Sequence, residues 1–312
     1  MSRTSVRAVA VVAVTAVLPI THASAHCFVG NRFFPATLNV DDPCVADELS
    51  LPTVAAFPTG DDPSAREIDI SGELSKKITD TFGISLEGTW IHTREPGGAT
   101  VHGFDNLGTS FKFQFLTDPT DEFVMSASLD VDWGGTGDKS VADSFSTLTP
   151  TLFVGKGFGF LPESLKYLKP LAITGQVGYA VPTESSTIED GELSLNPQSV
   201  VWGGSLQYSM PYLKSAVEDV GLPDFFNRLI PLVEWNLSTE TSNFSGGEER
   251  TTGTINPGVI YVGDKFQISG EAIIPVNRAS GDGAGGMGQL HLYLDDIFPK
   301  TYGQPLFAAS NQ

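Results

Sequence analysis

One pattern constrains this chain more than any other. Apolar and polar residues alternate with a period of two, and stretches that do so recur along most of the sequence. The clearest is EFVMSASLDVDWGG, Glu122 to Gly135, in which Phe123, Met125, Ala127, Leu129, Val131 and Trp133 share one face. Glu122, Ser126, Ser128, Asp130 and Asp132 share the other, and only Val124 is out of place. Period two marks a β-strand, because successive side chains point to opposite faces. An apolar face with an aromatic residue at each end suits a strand that crosses roughly 25 Å of hydrocarbon between two interfacial girdles. The opposite face carries acids and serines and has to meet water. A half-buried strand of a soluble sandwich alternates in the same way, so repetition decides between the two.

Strand-sized units follow one another from Glu48 onward. Glu48 to Phe57 is interrupted by Pro52 and suits an edge or closing strand. Arg66 to Ser75 sets Ile68, Ile70 and Leu74 against Glu67, Asp69 and Glu73. Gly83 to Thr93 sets Ile84, Leu86 and Trp90 against Ser85 and Glu87, and Asn106 to Leu116 sets Leu107, Phe111 and Phe113 against Ser110, Lys112 and Gln114. After the opening stretch come Thr147 to Gly155, Leu171 to Val181, Val201 to Met210, Leu232 to Ser238, Thr254 to Tyr261, Phe266 to Ile274 and Gln289 to Asp295. Their polar faces hold Glu234, Glu271, His291 and Asp295. The sequence therefore predicts an all-β fold, a transmembrane antiparallel up-and-down β-barrel of about 12 strands, with the even count of a single-chain bacterial barrel.

The connections give an independent check. With the N-terminus in the periplasm, the exterior loops read TGDDPSA, EPGGATVH, GGTGDKSVADSFS, ESSTIEDGELSLNPQ, TSNFSGGEE and RASGDGAGG, all glycine-rich or acidic. The alternate set contains short turns and two amphipathic segments, around Leu161 to Leu168 and Leu213 to Leu229, which either lie along the inner interface or cap the barrel mouth. Aromatic residues sort by strand direction: Trp90, Trp133 and Trp202 fall near outer ends, Phe123, Tyr261 and Phe266 near inner ends. Two such girdles are what a lipid-spanning barrel requires.

Before the strands, residues 1–25 read as a signal peptide: Arg3 and Arg7 precede the apolar run Ala8 to Ile20 and the small-residue site Ala23-Ser24-Ala25. The run is short of the roughly 20 residues of a membrane anchor, and His26 stands where a lipidated cysteine would want a small neighbour. Residues 26–47 form an N-terminal periplasmic arm or partial plug, residues 48–298 the barrel and residues 299–312 a C-terminal tail. Cys27 and Cys44 are the only cysteines; in an exported chain the pair is most simply a disulfide, with two free thiols as the alternative. The signal holds two of the 18 basic residues and no acid, leaving 16 against 37 and a net charge of 21 negative. That field repels nucleic acid. No later window has the roughly 18 consecutive apolar residues of a spanning helix.

The polar faces define a lumen lined by Glu67, Asp69, Glu73, Glu87, Glu122, Asp130, Asp132, Glu234, Glu271, His291 and Asp295, with Lys112 as the clearest basic partner. In a wide wet pore these are solvated charges; in a narrow one they repel anions and pass cations or neutral solutes. About twelve strands predict a narrow, obstructable lumen. Catalytic signals are poor: His92, His102 and His291 have no serine or acid at a spacing that builds a triad, and no HxH or HExxH spacing supports a metal. The pair Asp130 and Asp132 is explained by alternation alone. No cofactor and no enzymatic activity are expected.

The stretches FPTGDDPSAREIDISGELSKKITDTFGISLEG and KPLAITGQVGYAVP, with the repeated strand grammar, resemble the phenol-degradation meta-pathway family of outer-membrane channel-like barrels. The resemblance implies a passive channel that assists entry of small neutral or hydrophobic solutes, including aromatic ones. Outer-membrane lipid and the barrel-assembly machinery would be its partners. One departure is the C-terminus, which runs past Phe298 through PKTYGQPLFAASNQ instead of ending on an aromatic strand residue. The competing expectation is a non-conducting barrel that binds a ligand or serves the envelope structurally.

Overall fold

The computed structural model describes residues 26–60, 63–189, 191–246 and 249–307. The signal segment and residues 308–312 of the tail lie outside the described residues.

Two short strands, β1 (Phe28–Val29) and β2 (Arg32–Phe33), form a ribbon in the arm. The alternating stretches become β3 (Glu48–Pro58), β4 (Arg66–Lys77), β5 (Phe82–Arg94), β6 (Thr100–Phe104), β7 (Leu107–Asp118), β8 (Phe123–Trp133), β9 (Thr147–Gly157) and β10 (Leu171–Pro182). They continue as β11 (Ser186–Glu189), β12 (Glu192–Leu195), β13 (Gln198–Tyr208), β14 (Leu229–Ser242), β15 (Thr251–Val262), β16 (Phe266–Pro275) and β17 (Gly285–Tyr293). Twelve of these pair antiparallel in chain order, and β17 pairs with β3, so the sheet closes into an up-and-down barrel. The other three form local structure outside that ring. β6 extends the outer end of β5, with His92 opposite His102, and β11 and β12 make a separate hairpin inside the loop that joins β10 to β13.

Pro52 falls where the closing strand can tolerate it. Against both neighbours the register of β3 shifts between Ser50 and Thr53, so Leu51 and Pro52 occupy a bulge at the seam. A proline donates no ladder hydrogen bond, and a bulge does not require one.

The outward faces are apolar and uncovered. Ile70, Leu86, Leu129, Val177, Leu206 and Ile268 are each 40–52% exposed, spread around the whole ring. A continuous belt of that kind is stable only against lipid. Trp133 ends β8 at 44% exposure with its indole N–H donated to Thr109, and Trp202 is likewise exposed on β13. Phe123 and Phe266 open β8 and β16 at the opposite end. Among the described residues no helix is long and apolar enough to cross a membrane; this barrel crosses with strands.

Three positions differ from the alternation reading. Asp295 is not on a strand: β17 stops at Tyr293, and Asp295 sits in the helical turn Leu294–Ile297. Met210 likewise opens a helical turn, because the Ser209 hydroxyl oxygen accepts a hydrogen bond from the Tyr212 amide and Pro211 suits the first turn. Glu122 precedes β8 in the left-handed region, with φ of 47°, inside a turn that period-two reasoning cannot register.

Candidate functional site

The arm lies inside the barrel. Its route is set first by apolar contact. Cys27 and Cys44 are bonded, with Cα atoms 5.3 Å apart, and their sulfurs pack with Val29, Phe34, Val124 and Ala172. Val124 is the residue that broke the alternation; it points into the lumen because the arm covers it. A second cluster sets Phe33 against Ile230, Leu232, Ile260 and Tyr293, again lumen-facing side chains of the inner strand ends. Burying such side chains stabilises docking by about 1.5–3 kcal/mol each. Gly155 lets the arm come close: a Cβ there would lie 2.9 Å from Pro43 and 3.2 Å from Phe34.

Polar anchors fix the root and the tip. At the root, the fully buried Arg32 donates to Glu122 at 3.2 Å and to the carbonyls of Lys169 and Pro170 at 2.5 and 2.9 Å, and stacks 3.7 Å above the Tyr212 ring. Tyr212 donates its hydroxyl to Glu122 at 2.6 Å. Burial and that bond push the Tyr212 phenol up to about 12, while burial pulls the Arg32 guanidinium below its ordinary value against the attraction of Glu122. Glu122 is therefore an anchor for the arm instead of a water-facing lining acid. At the tip, the backbone N–H groups of Leu38 and Asn39 donate to Glu234 Oε2 at 3.1 and 3.2 Å, and that of Val40 to Oε1 at 3.1 Å. The Asn39 carboxamide donates to Glu234 at 3.4 Å and Glu271 at 3.2 Å. Glu234 and Glu271 are buried beneath this tip.

The opposite wall is tied less closely. Lys112 pairs with Asp41 and donates to the Asp42 carbonyl at 2.9 Å. The Asp42 carboxyl is held well above the usual carboxylate range by burial and by Glu48, against the pull of Lys112. Between the arm and the barrel wall, space remains. One cavity of about 330 Å³ is bounded by Asp41, Glu73, Glu87, Ser110, Asp130 and Asp132. Another, of about 230 Å³, is bounded by Ser50, Thr53, Ser71, Gln289 and His291 and shares Asn39, Asp41, Glu73 and Glu87 with the first.

The remaining sequence-derived positions distribute around these cavities and the rims of the barrel. Asp130 accepts hydroxyl bonds from Ser110, Ser128 and Thr151 at 2.5, 2.9 and 3.0 Å, and Asp132, two residues on, is exposed. Glu73 accepts from Ser75 and Glu87 is exposed. Glu67 accepts from Thr93 near the outer rim, on the same face as Asp69. Asp295 instead pairs with Lys77 at 3.5 Å at the inner rim. His291 is buried, with Nδ1 bonded to Ser50 Oγ at 2.8 Å and Nε2 3.4 Å from Glu48. The hydroxyl meets Nδ1 and the carboxylate meets Nε2, the reverse of the ring usage in a serine hydrolase triad. Among the described residues the one Cys/Asp group close enough for a metal is Cys27, Asp42 and Cys44, whose sulfurs are committed to the disulfide.

Arg32, Asn39, Asp47 and Tyr212 were not visible to strand-based reasoning, since none lies on a barrel strand. One signal existed: the lumen-side apolar positions Val124, Ile230, Leu232 and Ile260 collect at inner strand ends, where only a covering segment makes them favourable.

No protein-family model matches this sequence, and none of the curated proteins matches it. Among solved structures, an outer membrane channel from Pseudomonas putida F1 superimposes with a TM-score of 0.53 at 10% identity, covering 84% of this chain and 99% of that one. The NanC porin gives 0.47 at 10% identity over 77% and 97% of the two chains, and the KdgM porin 0.45 at 10% identity over 78% and 98%. At these identities the likeness is one of fold: an outer-membrane β-barrel.

Proposed function

We propose that the chain is an outer-membrane channel through which small polar solutes, neutral or cationic, diffuse, with residues 26–47 acting as a partial plug at the periplasmic mouth. One observation carries this reading. The arm is tied closely to the β14 and β16 wall through Glu234 and Glu271, while two cavities that share Asn39, Asp41, Glu73 and Glu87 remain beside it, one reaching from β4 round to β13 and the other along β17, β3, β4 and β5. A passage lined by acids, hydroxyls and amides repels anions and suits small hydrogen-bonding solutes. The similarity to a channel from Pseudomonas putida F1 supports the same general role. The resemblance to the phenol-degradation meta-pathway family would add aromatic substrates, but this lining offers few apolar contacts, Phe153 and Val201 in the larger cavity. Polar solutes therefore have the better physical support.

A second reading, a non-conducting ligand-binding or structural barrel, is favoured by the Lys112 to Asp41 pair, which ties the arm to the wall opposite Glu234. Planar-bilayer recordings of the chain with and without residues 26–47 separate the two. Current that rises on removing the arm supports the channel; no current in either form rejects it.

A further inference from the structure

The tip of the arm sits on a group of polar residues that the plug role alone does not require. Glu234 is fully buried on β14, its register partner Asn256 on β15 is also fully buried, and Glu271 on β16 is buried beside them. Asn256 has no hydrogen-bond partner on either its amide nitrogen or its oxygen, and the Glu271 carboxyl lies against that of Glu234. Unpaired buried polar atoms are rare and costly. A glycine brings the two carboxyl groups together. A Cβ at Gly258 would lie 2.3 Å from Glu271 Cγ, so only a residue without a side chain lets Glu271 lie across β15 toward Glu234.

What these groups take from the arm defines what they recognise. They accept N–H donors: three consecutive backbone amides on Glu234, and one carboxamide nitrogen, Asn39 Nδ2, lying 3.4 Å from Glu234 and 3.2 Å from Glu271. An ammonium group in the place of that nitrogen carries three donors and a positive charge. Its hydrogen bonds to carboxylates are charge-assisted and roughly twice as strong as neutral ones. Asn256, the register partner of Glu234 on β15, adds an unpartnered buried carboxamide beside them.

We infer that Glu234, Glu271 and Asn256 form a binding subsite for the ammonium group of a primary alkylamine, occupied in this structure by the tip of the arm, and that such a solute competes with the tip for it. The inference rests on reading the arm as a plug, and it makes the plug responsive to cargo. A solute that takes Glu234 frees the amides of Leu38, Asn39 and Val40, and with them the deepest anchor of the arm.

The test uses the full mature chain folded in detergent, titrated calorimetrically with n-butylammonium chloride. Tetramethylammonium chloride, which has the same charge and no N–H donor, is the control. Butylammonium should bind about tenfold more tightly than the control, a difference that Glu271→Gln or Glu234→Gln removes. Retained gel mobility of the unheated barrel shows that each variant is folded. Saturating butylammonium should also speed amide hydrogen exchange in the peptide covering residues 36–42, and the control should not. Equal affinity for the two cations, or unchanged exchange at residues 36–42, overturns the subsite. These readouts do not depend on current, so a barrel that binds butylammonium without conducting would retain the subsite and lose the channel reading.

Discussion

Arg32 and Glu122, separated by 90 positions in the chain, meet at 3.2 Å in a pocket that hides both from solvent. Removing one member of a buried ion pair strands the other charge, at a cost of about 3–5 kcal/mol. Arg32→Ala should therefore release the root of the arm while leaving the strand ladder intact. The expected outcome in planar bilayers is longer and more frequent openings than wild type. Identical gating in the variant would show that this pair does not hold the plug.

The bond between Cys27 and Cys44 spans 17 positions and closes most of the arm into a ring. A closed loop of that size restricts the open chain by about 3 kcal/mol in the chain-entropy account. Exchanging both residues for serine should loosen the arm without unfolding the barrel. Protease cleavage within residues 26–47 should then be faster by at least an order of magnitude, while the heat-modifiable band of the barrel persists. Equal cleavage rates would mean that the apolar contacts of Phe33 and Phe34 suffice.

Asp295, just beyond β17, is pushed up to about 7 by burial, against the pull of Lys77 and with the help of Glu48, Asp296 and Asp47. Asp42 in the arm is raised in the same direction by its burial and by Glu48. A carboxyl raised in the folded state keeps a proton that the unfolded chain loses near pH 4. The folded state thus binds more protons between about pH 4 and about 7, and stability falls as pH rises through that window. The unfolding temperature should be higher at acidic pH, and Asp295→Asn should flatten part of that slope. A variant with the wild-type slope would exclude Asp295 as a source.

Asp130 and Asp132 lie on the wall of the larger cavity. Changing both to asparagine keeps their size and most of their hydrogen bonding but removes the charge. Reversal potentials in a potassium chloride gradient should shift toward weaker cation preference, with single-channel conductance little changed. A constant reversal potential would remove these two acids from ion selection.

A side chain at position 155 would occupy the space where Pro43 and Phe34 approach β9. Overpacking of this kind costs about 1–3 kcal/mol. Gly155→Leu should displace the arm much as Arg32→Ala does, and combining the two changes should add little further current. Additive effects would indicate that the root and this contact act separately.

The barrel was legible because lipid imposes a strict rule. Every outward position of a spanning strand must be apolar, so β4, β7, β8 and β10 announce themselves through alternation. The arm obeys no such rule. Its contacts, such as Asn39 with Glu234, join residues 195 positions apart and leave no periodic trace. The acids of the lumen were legible as residues on a polar face, but their roles were not. Glu234 and Asp130 look alike in sequence, yet one is buried under the arm and the other lines an open space. Glu122 and Asp295 escaped for a simpler reason: turns at the inner rim take over where alternation still continues.

Asp47 is the last residue of the arm and adjoins β3, the strand at which the barrel closes. Its carboxylate accepts the Lys77 amide and the Lys76 ammonium, both at 2.7 Å, and its carbonyl accepts the Leu294 amide at 2.9 Å, just past β17. First strand, second strand and last strand are thus riveted at one point. On the proposed plug role, this tie predicts that the arm leaves by a swing about Asp47 and not by a withdrawal along the axis. The pairing of β17 with β3 and the seating of the arm thus share a single residue, so closure of the barrel and docking of the arm draw on the same contacts.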